Sequence, residues 1–242
     1  MPHRRRETME KVTLLSTERI EALGEGKVIV QSTKHYRFTS DAVALSRFAR
    51  VKKGDRVADF CAGSGIVGLH LLTLHGEKIS ALTLYEMQPA LSAMAEKSIV
   101  LNGESSRVTA VCTRLQDLGE EIRGKYDLVV CNPPYFKVEQ GEKKSTASAA
   151  VAKKELCITL SEIADVAAKA LRFGGRFAVC YPTDRLAEVC YELRRAKIEP
   201  KRLRFLTRKE GGEPYLALIE GVYGGKVGLK IEPTEVNQCS TL

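Results

Sequence analysis

The chain reads as a doubly wound α/β domain on a mostly parallel sheet of seven strands, with one antiparallel edge strand. Three observations predict this. Short apolar runs alternate with helix-length amphipathic stretches from residue 56 onward, and strands separated by helices pair in parallel. A glycine-rich turn, "CAGSGIVG" (61–68), directly follows the first of these runs. The last two runs are joined only by "RKEGGEP" (208–214), short enough for a hairpin and therefore for antiparallel pairing.

The elements follow in order. "RVADF" (56–60) is a short buried strand, and "IVGLHLLTL" (66–74) is the helix after the glycine turn. "ISALTLYE" (79–86) is the second strand. "QPALSAMAEKSIVLN" (88–102) is an amphipathic helix with Pro89 in its first turn and Asn-Gly at its end, the usual start and stop punctuation. "RVTAVC" (107–112) and "YDLVVC" (126–131) come next, then a helix over about 155–172 and the strand "RFAVCY" (176–181). The helix "DRLAEVCYELRRA" (184–196) leads to the final pair, "KRLRFLT" (201–207) and "YLALIEGVY" (215–223). The plan is Rossmann-like, occupying residues 51–242. Residues 1–50 form an N-terminal extension, in which "GKVIVQSTKHYRFTSDAVALSRFA" (26–49) predicts a hairpin or extended strand entering a helix.

Bulk properties narrow the class. With 242 residues, 44% of them hydrophobic and 28% charged, the chain can bury a full core. It has no apolar run of membrane-spanning length, and "MPHRRRETMEK" has no apolar stretch behind it, so a cytoplasmic protein without a secretory signal is expected. Seven cysteines at 61, 112, 131, 157, 180, 190 and 239 form no C-x-x-C pair. They read as reduced core thiols, with neither a disulfide framework nor a metal site. The net charge of +8 and pI near 9.1 suit a polyanionic partner such as nucleic acid, or simply a basic, soluble surface.

Two motifs carry chemistry. Gly63-Ser64-Gly65-Ile66-Val67-Gly68 is a G-x-G-x-x-G match between a strand and a helix, a pattern that alone suggests a dinucleotide site. Asp59, four residues before the first glycine, changes that reading, because a carboxylate there would repel a diphosphate and attract a cation. The D-x-x-x-G-x-G arrangement resembles the first motif of class I S-adenosylmethionine-dependent methyltransferases. In that resemblance Gly63 and Gly65 admit the cofactor to the backbone, and Asp59 faces its cationic end. Glu86 binds the ribose hydroxyls and Met87 packs on the adenine. The usual acid after the third strand is replaced by Arg114, which leaves Asp117 as the candidate for the adenine amino group.

The second motif, Asn132-Pro133-Pro134-Tyr135, ends the fourth strand, where open α/β sheets bind ligands. It matches the N-P-P-Y motif of methyltransferases that act on planar amines. Such a nitrogen is a poor nucleophile because its lone pair is delocalised. If the Asn132 side-chain oxygen and the Pro133 carbonyl both accept its hydrogens, the lone pair is released towards the methyl donor. The prolines hold both acceptors, and Tyr135, with Phe136, stacks on the base.

With these motifs, the chain resembles the bacterial tRNA1(Val) adenine-N6 methyltransferase family. The likeness runs through "VIVQSTKHYRFTSDAVALSRFA", "YEMQPALSAMAEKSIVLN", "YDLVVCNPPYF", "GGRFAVCYPTDRLAEV", "KIEPKRLRFL" and "GLKIEP". It implies S-adenosylmethionine as cofactor and an adenine in the anticodon loop of a tRNA as substrate. Pro134, Phe136, Lys137, Arg202 and Arg204 are then candidate substrate contacts. The last two belong to the basic run "RRAKIEPKRLRFLTRK" (194–209), which with Arg4 to Arg6 and the lysines of the polar loop 137–154 would form a phosphate-binding surface. Monomer and homodimer stay open.

Other readings share parts of this pattern. A protein glutamine N5-methyltransferase uses the same N-P-P-Y logic but usually carries a larger N-terminal helical domain than residues 1–50 provide. A DNA adenine methyltransferase would need a target-recognition domain. A silent RNA-binding protein would not need Asn132 or Tyr135. A dinucleotide oxidoreductase leaves the N-P-P-Y corner without a purpose.

Overall fold

The computed structural model describes residues 12–32, 40–134 and 158–237. Its elements are β1 (Glu18–Gly24), β2 (Lys27–Ser32), α1 (Ser40–Phe48), β3 (Asp55–Phe60), α2 (Ile66–His75), β4 (Ile79–Glu86), α3 (Pro89–Leu101), β5 (Val108–Cys112), β6 (Tyr126–Cys131), α4 (Leu160–Ala170), β7 (Leu171–Pro182), α5 (Leu186–Arg195), β8 (Ile198–Thr207), β9 (Pro214–Tyr223), β10 (Lys230–Ile231) and β11 (Glu235–Val236).

Seven of these strands form the expected sheet, in the order β8-β9-β7-β6-β3-β4-β5. The two-residue strands β10 and β11 pair with β8 and raise the count to nine. The short β8–β9 connection makes β9 antiparallel, as expected. β9 lies one place in from the β8 side, paired with β7 (Val179 opposite Ile219) and with β8 (Leu203 opposite Ile219). The remaining core pairs are parallel.

The pleat explains the two apolar layers. Successive side chains of a strand face opposite sides, so Val57, Leu128 and Val130 face α1 and α2, while Ala58, Phe60, Val129 and Cys131 face α4 and α5. Helix α4 starts later than the sequence suggests because Thr159 caps it. Its hydroxyl accepts from the Glu162 N–H while the Glu162 carboxylate takes the Thr159 N–H, which satisfies two free donors of the first turn. Burying each such Leu, Val or Phe contributes about 1.5–3 kcal/mol.

The hairpin β1–β2 docks its second strand on α3 through side chains that mimic a neighbouring strand. Asn102 donates from Nδ2 to the Val28 carbonyl at 2.7 Å and accepts the Val28 N–H at 2.8 Å; Ser98 Oγ accepts the Val30 N–H at 2.8 Å. An edge that would otherwise be open is thereby closed.

Candidate active site

The glycine turn needs its glycines for two different reasons. Gly63 has φ +58° and a Cβ there would meet nothing within 4 Å, so the demand is conformational and the space in front of it is free for a ligand. Gly65 has φ +92°, and a Cβ would come within 2.9 Å of Leu84. At Gly68 a Cβ would lie 2.5 Å from Leu84 and 3.2 Å from Asp59 Oδ2. The third glycine therefore serves the close packing of α2 on β4. The turn is also braced from outside the sheet, where buried Gln31 of β2 donates from Nε2 to Ser64 Oγ.

Asp59, at the carboxyl end of β3, is 0% exposed. Its Oδ2 accepts the Gly68 N–H at 2.8 Å, and its Oδ1 is buried without a partner. Burial pushes its pKa up to about 7; the Gly68 hydrogen bond opposes this and the charge of Glu86 adds to it. A buried carboxylate oxygen left unpaired is costly, so the site is suited to a cation. Glu86, also buried, accepts from the Gly63 N–H with Oε2 at 2.9 Å and from the Gln88 N–H with Oε1 at 2.8 Å. Those bonds fix the carboxylate while each oxygen keeps a second lone pair. Both acids thus fit a ligand with a cationic end and a hydroxylated middle. Met87 follows, half-buried. Asp117 is exposed in the single turn Leu115–Asp117 after β5. Arg114 is exposed too, and its charge is felt by Glu162 of α4.

The N-P-P-Y corner stands beside this acid. β6 pairs with β3 so that Val130 lies opposite Asp59 and Cys131 opposite Phe60. Asn132 leaves the strand half-buried, Pro133 is buried and Pro134 exposed. Asn132 Oδ1 lies 2.9 Å from the Sγ of Cys180 on β7, and Cys180 belongs to the layer under α1 and α2, as does Val57, two residues before Asp59. The acid and the amide therefore share one face of the sheet on adjacent strands, about 8 Å apart in backbone terms from strand spacing and rise. Tyr135, Phe136, Lys137 and the 137–154 loop lie outside the described residues, as do Arg4 to Arg6.

The basic run divides in a way that corrects the expectation for Arg202 and Arg204. Arg202 is buried. Its Nε donates to Glu232 at 2.8 Å, its Nη1 to Glu220 at 2.9 Å, and its guanidinium covers the Phe48 ring at 4.3 Å. Arg204 is bound to Glu235 at 2.6 Å and Glu232 at 2.8 Å. These two hold the C-terminal segment to the sheet and are not presented to a phosphate. Arg194 pairs with Glu199 at 3.1 Å, and Arg195 with Glu192 at 2.6 Å and Asp165 at 2.9 Å. Arg208 and Lys209, by contrast, are exposed in the β8–β9 turn. Arg208 lies over the Tyr215 ring at 4.3 Å. Tyr215 in turn donates to Asp41 Oδ1 at 2.6 Å, and Asn237 Nδ2 reaches the same oxygen at 2.9 Å. This turn is at the carboxyl end of the sheet, since Thr207 pairs with Pro214 and Pro182 with Leu216.

His70 is buried with Ser46 Oγ 2.5 Å from Nδ1, and burial lowers its pKa to about 4. Among the described residues no group of three or more His, Cys, Asp or Glu is arranged to hold a metal ion, and no helix is long and apolar enough to cross a membrane. The bracing residues Gln31, Cys180, Asp41 and Tyr215 carried no motif in the sequence, because each acts through a partner at least 33 residues away.

A doubly wound sheet with a cation-seeking acid at the carboxyl end of its first core strand and an acceptor corner on the neighbouring strand defines a group-transfer enzyme of the methyltransferase type. A family model described as the methyltransferase small domain matches residues 40–183, and the chain belongs to that family. Two curated relatives are both named tRNA1(Val) (adenine(37)-N6)-methyltransferase. The protein from a Flavobacteriaceae bacterium is 28% identical over 192 residues, covering 73% of this chain and 79% of its own. The one from a Shewanella species is 26% identical over 164 residues, covering 66% of each. In fold, the chain is similar to a predicted O-methyltransferase from Agrobacterium tumefaciens (TM-score 0.62, 16% identity, 81% of this chain and 86% of the other). It is also similar to P. horikoshii TYW2, solved in complex with MeSAdo (TM-score 0.61, 15% identity, 88% and 74%).

Proposed function

We propose that the protein methylates N6 of an adenine in tRNA with S-adenosylmethionine as donor, at the adenine beside the anticodon that the relatives' names specify as position 37. The observation that carries this reading is the placement of Asp59 and Asn132 on one face of adjacent strands.

S-adenosylmethionine supplies a methyl group already activated on a sulfonium. The protein's task is then placement and charge. The unpartnered Asp59 Oδ1 takes the cofactor's cationic end, Glu86 the ribose hydroxyls, and the open backbone at Gly63 lets the chain approach. Met87 packs on the adenine and Asp117 meets its amino group. Asn132 Oδ1 and the Pro133 carbonyl accept the hydrogens of the target amine, which frees its lone pair to point at the methyl. Tyr135 and Phe136 stack on the extruded base, and Pro134 and Lys137 border it. Arg208 and Lys209 meet the flanking phosphates. With a tRNA substrate, the protein works in the cytoplasm.

Incubation with labelled S-adenosylmethionine and total tRNA, DNA or a release factor, followed by nucleoside and residue analysis, tests this. N6-methyladenosine in tRNA is the expected product. Label confined to DNA or to a protein glutamine overturns the assignment.

A further inference from the structure

We propose that Cys180 is a positioning residue for methyl transfer, its thiol holding the Asn132 side chain in its accepting orientation. This rests on the reading of Asn132 as the amine acceptor. Cys180 is 0% exposed on β7, and its Sγ stands 2.9 Å from Asn132 Oδ1. An S–H in that place donates to a carbonyl oxygen, whereas a turned-over amide would offer its N–H to sulfur, a weak acceptor. The contact therefore selects between the two orientations of the amide, which differ little in shape.

The strand register makes the arrangement rigid. Cys131 lies opposite Val179 on β7, which sets Cys180 level with Asn132, and Cys180 itself is opposite Leu218 on β9. Cys180 is thus held by the β9 ladder, one residue beyond the last β6–β7 pair, whereas Asn132 sits where the β6 ladder ends at two prolines that cannot donate. A buried residue on an interior strand steadies a catalytic group on a strand exit. The thiol is a weak donor, so it orients the amide without taking the oxygen away from the substrate.

The test compares Cys180→Ala, Cys180→Ser and Cys180→Val in single-turnover assays with labelled S-adenosylmethionine and tRNA, with cofactor and tRNA affinities measured separately. Cys180→Ala and Cys180→Val should lower the rate about tenfold with both affinities unchanged. Cys180→Ser, which keeps a donor, should restore most of the rate. Wild-type turnover in Cys180→Ala overturns the inference, as does equal loss in all three variants, which would mark Cys180 as packing alone. An Asn132→Ala control separates the two levels. If it turns over normally, the clamp reading fails and takes the inference with it; if it is inactive while Cys180→Ala is not, only the inference fails.

Discussion

Asp59 accepts the backbone N–H of Gly68 at 2.8 Å with one carboxylate oxygen and leaves the other buried and unpaired. Gly68 is the third glycine of the turn, so the motif proposed to admit the cofactor also sets the orientation of the acid proposed to meet it. Replacing Gly68 by alanine would place a Cβ 2.5 Å from Leu84 and 3.2 Å from that carboxylate.

The raised pKa of Asp59, about 7, makes cofactor binding pH-dependent. A cation is held by the ionised form, so affinity for S-adenosylmethionine should be highest above pH 7 and fall as pH drops through that value, approaching tenfold per unit well below it. The same shift has the opposite sign for the cofactor-free fold. An acid whose pKa is raised on folding stabilises the protein below its unfolded value of about 3.8, and that stability is lost as pH rises through about 7. Thermal shifts should show a larger cofactor-induced gain at pH 8 than at pH 6, and Asp59→Asn should flatten the difference.

The glycines should separate by phenotype. Gly63→Ala strains a left-handed backbone by about 1–2 kcal/mol and puts a methyl into the space facing the ligand, so cofactor affinity should fall more than melting temperature. Gly68→Ala wedges α2 from β4, so melting temperature should fall first. Calorimetric binding and thermal unfolding of both variants check the contrast.

Asn132→Ala should lower the transfer rate by roughly 10²–10³-fold, the usual effect of losing a group aimed at the reacting centre, with cofactor affinity within about twofold of wild type. Equal loss of binding and turnover would show that Asn132 merely supports the strand exit.

The two kinds of arginine predict different assays. Replacing Arg208 and Lys209 by alanine should reduce the salt slope of tRNA binding by about one unit per lost phosphate contact and leave melting unchanged. Arg202→Met takes the guanidinium from buried Glu220 and leaves Glu232 with Arg204; it should cost about 3–5 kcal/mol, roughly 10 °C in melting temperature for a chain of this size, with the salt slope retained.

What the sequence by itself determined is what neighbours in the chain decide. Short apolar runs between helix-length stretches mark strands, Gly63 and Gly65 mark a turn open to a ligand, and two prolines after Asn132 end a strand in fixed carbonyls. These signals depend on backbone sterics within a few residues, so the seven core strands and both motifs were legible. The tertiary structure decided which charges are free. Arg202 reads as one more cation in a basic run, yet its partners Glu220 and Glu232 stand 18 and 30 residues on, brought to it by β9 and the chain after it. Gln31 and Cys180 reach Ser64 and Asn132 over 33 and 48 residues. Pairing across the sheet, not local composition, settles whether a polar side chain braces the fold or faces a ligand.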